Sequence, residues 1–265
     1  MARLDRLAPI REIAQVGATL GREFSYELLR AVSPIDEASL QQALARLVEA
    51  EVLYQRGLPP QARYLFKHAL IQDTAYQSLL KSKRQQYHQQ IAHVLEERFP
   101  ETTEPQPELL AQHYTAAGLI AQAIPYWQRA GQRAAQCSAN IEAISHLTNG
   151  LEWLKTLPDT PERSQQELHL QTTLGPALMA IKGFASPEAG QAYARARALC
   201  QQVGDTPQFL PVLLGLCHFY SVRAQLLTAR ELAVQLLTLA EGHQDTAYLV
   251  AAHQVLVQCH VETIG

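Results

Sequence analysis

The pattern of apolar and polar positions divides this chain into a short mixed segment and a long helical one. Apolar residues at Ile10, Ile13, Ala14 and Val16 to Ala18 make a helical run that ends at Gly21, a natural helix stop. Ser25 then stands where its hydroxyl can cap a short helix carrying Leu28, Leu29 and Val32, which Ser33-Pro34 closes. A third helix, from about Asp36, places Leu40, Ala43, Leu44 and Leu47 on one face. After that the period changes. Val52 to Arg56 and Arg63 to Lys67 are short aromatic and branched runs on either side of Gly57-Leu58-Pro59-Pro60-Gln61, the pattern of a β-hairpin.

Three helices followed by a hairpin predict a winged-helix-like layout. Beyond the hairpin everything reads as helix: amphipathic stretches near Ala69–Leu80 and Arg84–Phe99, then the polar, proline-rich run Pro100 to Pro107. Thr160-Pro161-Glu162 and Ser186-Pro187-Glu188 each set a hydroxyl cap before a proline and an acid, which marks two helix starts. The predicted class is mostly α. A winged-helix-like module with trailing helices covers 1–100, a linker 101–107, and an α-solenoid of helical hairpins 108–265.

The helical part carries a repeat signal of tetratricopeptide type, a helix pair of about 34 residues with small residues where helices cross closely. One frame is Ala111, Tyr114, Gly118, Ala123, Trp127 and Ala130; a second runs Gly131, Ala134, Ala143, Leu147 and Gly150. Ala123 and Ala143 are only 20 positions apart. One helix, roughly Ile120 to Gln136, therefore serves both pairs, or one frame is accidental. Ala224, Leu226, Ala229, Ala233 and Leu236 fit the turn and second helix of a further repeat, and Ala196-Arg197 echoes Ala229-Arg230 at a separation of 33. The last stretch, Tyr248 to Gly265, reads as the first helix of another pair. A truncated last repeat is the expectation, and with it a fragment of a longer chain.

Composition narrows the function classes. A net charge of -3 and a pI near 6.4 argue against a protein that coats nucleic acid. The charge is uneven: residues 1–100 hold 13 Lys/Arg against 11 Asp/Glu, and the remainder 9 against 14. Cys137, Cys200, Cys217 and Cys259 form no C-x-x-C pair, each falls in helix-like sequence, and buried reduced thiols in a cytoplasmic protein are expected. The most apolar run, Leu210 to Cys217, is too short to span a bilayer.

Several segments resemble a region of large bacterial signalling proteins that join a class III adenylate/guanylate cyclase domain to a STAND/AAA-like ATPase and then to tetratricopeptide repeats. They are Met1-Ala2-Arg3-Leu4-Asp5-Arg6-Leu7, Gly21 to Ser25, Leu53 to Gly57, Phe66 to Asp73 and Ala75 to Leu80. In such proteins this region is the winged-helix part that follows the nucleotide-binding core, and the resemblance runs on through most of the chain. No G-x-x-x-x-G-K-[ST] loop occurs, and no paired metal-binding aspartates in a cyclase-like setting. The chain by itself is therefore expected to be no enzyme and to hold no cofactor, with ATP or ADP entering only through a domain upstream.

His68 is the one residue to which the resemblance attaches chemistry. In STAND-type ATPases a winged-helix histidine can reach the β-phosphate of bound ADP; the alternative is a histidine that caps or packs at a strand–helix junction. DNA binding is the second function class, but the third helix sets Asp36, Glu37, Glu49 and Glu51 against Arg46 alone. A cryptic enzyme is the third: the histidines and cysteines have no zinc spacing, and His253 and His260, seven apart, are a weak metal signal. Tyr114, Tyr126, Trp127, Phe219 and Tyr220 read as core knobs. The leading expectation is a regulatory segment whose repeats receive a protein or peptide in a groove, with an ATPase core as a further partner and no membrane contact.

Overall fold

Short polar side chains set the helix starts in the computed structural model, which describes residues 8–204 and 207–264. The Leu28 N–H donates to Ser25 Oγ at 3.1 Å, Ser39 N–H to Asp36 Oδ1 at 3.0 Å, Arg163 N–H to Thr160 Oγ1 at 3.2 Å and Ala189 N–H to Ser186 Oγ at 3.1 Å. Each satisfies one of the N–H groups that a first helical turn leaves without a partner. The protein is mostly helical with one small sheet, and it divides into two compact units, Met1–Leu119 and Ile120–Gly265. The opening heptapeptide Met1 to Leu7, part of the resemblance above, lies outside the described residues.

The first unit contains α1 (Ala8–Leu20), β1 (Glu23–Ser25), α2 (Tyr26–Val32), α3 (Glu37–Glu49), β2 (Leu53–Arg56) and β3 (Arg63–Phe66). After these come α4 (Ala69–Gln77), α5 (Lys81–Arg98), α6 (Pro100–Thr103) and α7 (Pro107–Ala117). The hairpin forms as its sequence predicts, and β1 joins it on the far side of β3, giving an antiparallel sheet of order β1-β3-β2. Three residues are too few for any alternation to announce β1; its partner in register, Tyr64 opposite Phe24, does. The Phe24 ring stacks on Tyr64 at 5.9 Å and leans on Phe66 at 6.1 Å, and these rings with Tyr26, Leu29, Leu40, Leu44 and Leu53 form the core.

The proline-rich run read as a linker lies inside this unit. Its first part is α6, with Thr103 buried, and α7 packs along α5 through Leu110, Ala111 and Tyr114, whose hydroxyl donates to Glu96. Gly118 closes α7 in the left-handed conformation (φ 80°), where a β-carbon is penalised.

Among its described residues the second unit has seven consecutive helices: α8 (Ile120–Gln136), α9 (Asn140–Leu154), α10 (Pro161–Lys182), α11 (Pro187–Val203), α12 (Phe209–Val222), α13 (Leu226–His243) and α14 (Thr246–Ile264). Each packs on the next, and the even-numbered helices also touch one another: α8 with α10, α10 with α12, α12 with α14. Sequential pairing plus second-neighbour contact in one row is the packing of a helical-repeat stack. Small residues allow the close crossings. Gly131 of α8 lies so near Leu147 of α9 that an added β-carbon would sit 2.4 Å from its Cγ. The Tyr193 ring of α11 is held between Gly175 of α10 and Gly215 of α12, where added β-carbons would fall 2.5 and 2.2 Å from it.

These contacts place the repeat residues. Gly131, Ala143, Leu147 and Gly150 form the α8–α9 crossing, so the second frame describes a packed hairpin. Ala123, Trp127 and Ala130 are buried in the second unit, whereas Ala111 and Tyr114 are buried in the first and Gly118 is its exposed helix end. Ala196 and Ala229, 33 apart, are both fully buried, in α11 and α13, but Ala196 lies mid-helix and Ala229 in the first turn of its helix. Cys137 departs from expectation: it is exposed in the turn after α8, while Cys200, Cys217 and Cys259 are buried thiols.

Candidate interaction groove

Between α9 and α11, over the core-facing side of α10, runs a groove of about 420 Å³. It exists because α9 and α11 both pack on α10 and separate around it. Along α10 the lining residues are Arg163, Glu167, Gln171, Leu174, Leu178 and Lys182, a single stripe at three- and four-residue spacing. That stripe is roughly 28 Å long at 1.5 Å per residue, the length of a helix of about 19 residues. Its floor is apolar, made by Leu174 and Leu178 with Leu151 and Leu154 of α9 and Ala192 of α11.

The rim is charged, and its charges are matched. Arg195 donates through Nε and Nη2 to both carboxylate oxygens of Glu167, at 2.6 and 2.7 Å. This pairing holds the Arg195 guanidinium above its ordinary pKa. Lys182 Nζ reaches Glu188 at 2.6 Å and draws that carboxyl below its usual range; Lys155 meets Glu152 at 2.7 Å. Arg163 reaches Asp159 at 3.4 Å. An apolar floor with a self-neutralised rim suits an amphipathic helix laid in the groove, recognised by apolar anchors more than by net charge. None of the floor residues was legible as a groove residue, because Leu174 and Leu178 have the spacing of any core stripe.

Chemistry-bearing residues fall elsewhere. His68 is exposed at the N-cap of α4: its carbonyl accepts from Ile71 and Gln72, but its side chain makes no capping bond. A buried polar chain sits in the first unit instead. Tyr76 Oη and His88 Nε2 are 2.9 Å apart, and His88 Nδ1 lies 2.8 Å from His113 Nδ1. Burial, helped by the Arg84 guanidinium, lowers His88 to about 4; burial and the neighbouring His88 lower His113 to about 3. Burial thus favours the neutral form of both rings, and between two neutral rings one Nδ1 donates to the other. Nothing in the sequence pairs residues 25 apart on two different helices. Among the described residues no group of three or more His, Cys, Asp or Glu could hold a metal ion, and no helix is long and apolar enough to cross a membrane. His253 and His260 both line a cavity beside α13.

No family model matches the chain. An uncharacterized protein of Rhizobium meliloti (strain 1021) is 29% identical over 217 residues, which cover 81% of this chain. The match spans 21% of that relative's own length. Among solved structures, a signal transduction ATPase with numerous domains with a tetratricopeptide repeat sensor, from Pyrococcus horikoshii, aligns with 96% of this chain and 48% of its own at 9% identity. The TM-score of that alignment is 0.29, too low for anything about this chain to follow from it.

Proposed function

We propose that this chain is a non-catalytic regulatory and interaction segment whose helical stack binds a protein partner, an amphipathic helix of that partner lying in the groove over α10. The observation that carries the reading is the groove itself: a stripe about 28 Å long with a leucine floor and a rim whose ions are already paired. In the first unit the order helix, strand, helix, helix, hairpin supports the winged-helix-like reading, and that module would transmit the state of the stack to an ATPase core elsewhere in a parent protein. His68, exposed at the head of α4, would there be free to meet a phosphate; the chain alone would turn over no nucleotide.

The exposed side of α3 carries Glu37, Glu49 and Arg46, a poor surface for phosphates, and no observation favours the DNA-binding reading. The test of the groove uses the whole chain against a displayed library of amphipathic peptides. Binders should show apolar anchors at i, i+3 or i+4 and i+7 and lose about tenfold or more in affinity to Gln171→Trp, which fills the groove. Binders indifferent to Gln171→Trp would refute the site. Retention of duplex DNA at low salt, weakening as salt rises, would support the DNA reading instead.

A further inference from the structure

The groove over α10 carries two kinds of polar side chain, which differ in whether their partners are already present. Every charged residue that lines it is paired: Arg195 with Glu167, Lys182 with Glu188, Lys155 with Glu152, and Arg163 with Asp159 just outside it. The uncharged ones are Thr148 of α9, Gln171 of α10 and Gln191 of α11, and among the described residues none of the three takes part in a hydrogen bond. Gln171 differs from the other two by its place. It is half-buried, whereas Thr148 and Gln191 are exposed. It stands near the middle of the α10 stripe, about 12 Å from Arg163 and about 16 Å from Lys182 at 1.5 Å per residue. On one side along α10 comes Glu167, held by Arg195; on the other, Leu174 and Leu178 begin the apolar floor. A helix laid on that floor covers the Gln171 amide and takes its water away.

We infer that Gln171 sets the specificity of this groove, which receives a helix whose apolar face is interrupted once by an asparagine or glutamine paired with the Gln171 amide. That specificity deepens the helix-in-groove reading above and rests on it. A primary amide offers two N–H donors and a carbonyl acceptor. A leucine laid over Gln171 would leave donors and acceptor alike without a partner, and a covered polar group so stranded is costly. A glutamate would satisfy the donors alone, leave the carbonyl unmatched, and bring a charge to a rim whose cations are all taken. A lysine would serve the carbonyl alone. A second amide supplies both a donor and an acceptor, so the two side chains satisfy each other. One polar pair inside an apolar seam also fixes register, because a slip of one turn strands both amides.

The experiment uses the whole chain and three fluorescein-labelled peptides of about 20 residues, each roughly 30 Å long as a helix. They share one leucine face and differ at a single central position of it, which is glutamine, leucine or glutamate. By fluorescence anisotropy the glutamine peptide should bind tightest, the leucine peptide about fivefold more weakly and the glutamate peptide about tenfold more weakly. Gln171→Leu should reverse the order of the first two, tightening the leucine peptide and weakening the glutamine peptide about tenfold. Gln191→Leu, on the exposed wall of α11, should leave the order as it is in the native chain. Gln171 is not part of the buried core, so Gln171→Leu keeps the fold; an unchanged thermal melt checks this, and the order of the peptides on the native chain tests the assignment without any variant. Leucine bound as well as glutamine by the native chain, an order indifferent to Gln171→Leu, or one reversed by Gln191→Leu overturns the role of Gln171. The groove itself then still stands if Gln171→Trp abolishes binding. Binding that survives Gln171→Trp, or none by any of the three peptides, overturns the groove and the specificity together. So does a dimer in light scattering that Gln171→Trp dissociates, since a second copy would then be the occupant.

Discussion

The two units bury their interiors by opposite means. The first packs large rings against each other on a three-stranded sheet, with Phe24, Tyr26, Tyr64 and Phe66 at its centre, and keeps a Tyr–His–His chain beneath its helices. The second has no sheet among its described residues and packs helix on helix, with glycines where rings or leucines press in: Gly131 against Leu147, Gly175 and Gly215 against Tyr193, Gly190 against Phe219. Comparable burial therefore implies different vulnerabilities. The first unit is most sensitive to lost volume and to added protons, the second to added volume.

The largest effect expected from breaking this contrast is in the first unit. Phe66→Ala removes a fully buried ring from the sheet and should destabilise by about 3–5 kcal/mol, read as a fall in urea midpoint and as lost hydrogen-exchange protection in residues 8–119. Gly175→Val is the counterpart. Its new β-carbon meets a Tyr193 ring that Gly215 confines from the other side, so about 3 kcal/mol should be lost, with exchange rising in α10–α12. If Gly175→Val were neutral, the ring would have room to move and close crossing would not be what holds the stack.

Acid should separate the units next. His88 and His113 titrate near 6.5 when unfolded but are depressed to about 4 and about 3 in the fold. Unfolding therefore takes up protons below pH 6.5. The stability these neutral rings allow is complete above that value and declines as pH falls through 4 toward 3, by roughly 2 kcal/mol for each ring at pH 5. Denaturant midpoints across this range should slope for the native chain and flatten for a His88→Gln, His113→Gln double variant. The smallest effect is a shared one. Asp36→Ala in the first unit and Ser186→Ala in the second each remove one capping bond and should each cost about 1 kcal/mol, because a cap acts within its own first turn whatever the core.

That last pair shows what kind of feature sequence makes visible. Ser25, Asp36, Thr160 and Ser186 announced four helix starts because a cap acts on a backbone N–H three residues away. The hairpin was legible for the same reason, its turn residues lying between its two strands. β1 was not, since its pairing depends on Tyr64 and Leu65, some forty residues further on. Of the candidate residues, the Gly131–Ala143 frame could be recognised as a close crossing. Its overlap with the Ala111–Tyr114 frame could not be resolved by spacing, because both frames obey the same small-and-large pattern. His68 stood out by resemblance, while His88 and His113, whose Nδ1 atoms lie 2.8 Å apart, gave no signal.

Sequence by itself determined the mostly helical class, the helix starts, the hairpin and the small-residue period of the stack, all of them set by residues within a turn or two of one another. Tertiary structure alone decided which helices pair. It set α7 on α5 and α8 on α9, brought His88 to His113, and let α9 and α11 part over α10 to leave a groove with matched charges. Those outcomes depend on which apolar faces meet across long stretches of chain, and many faces of similar composition compete for each place.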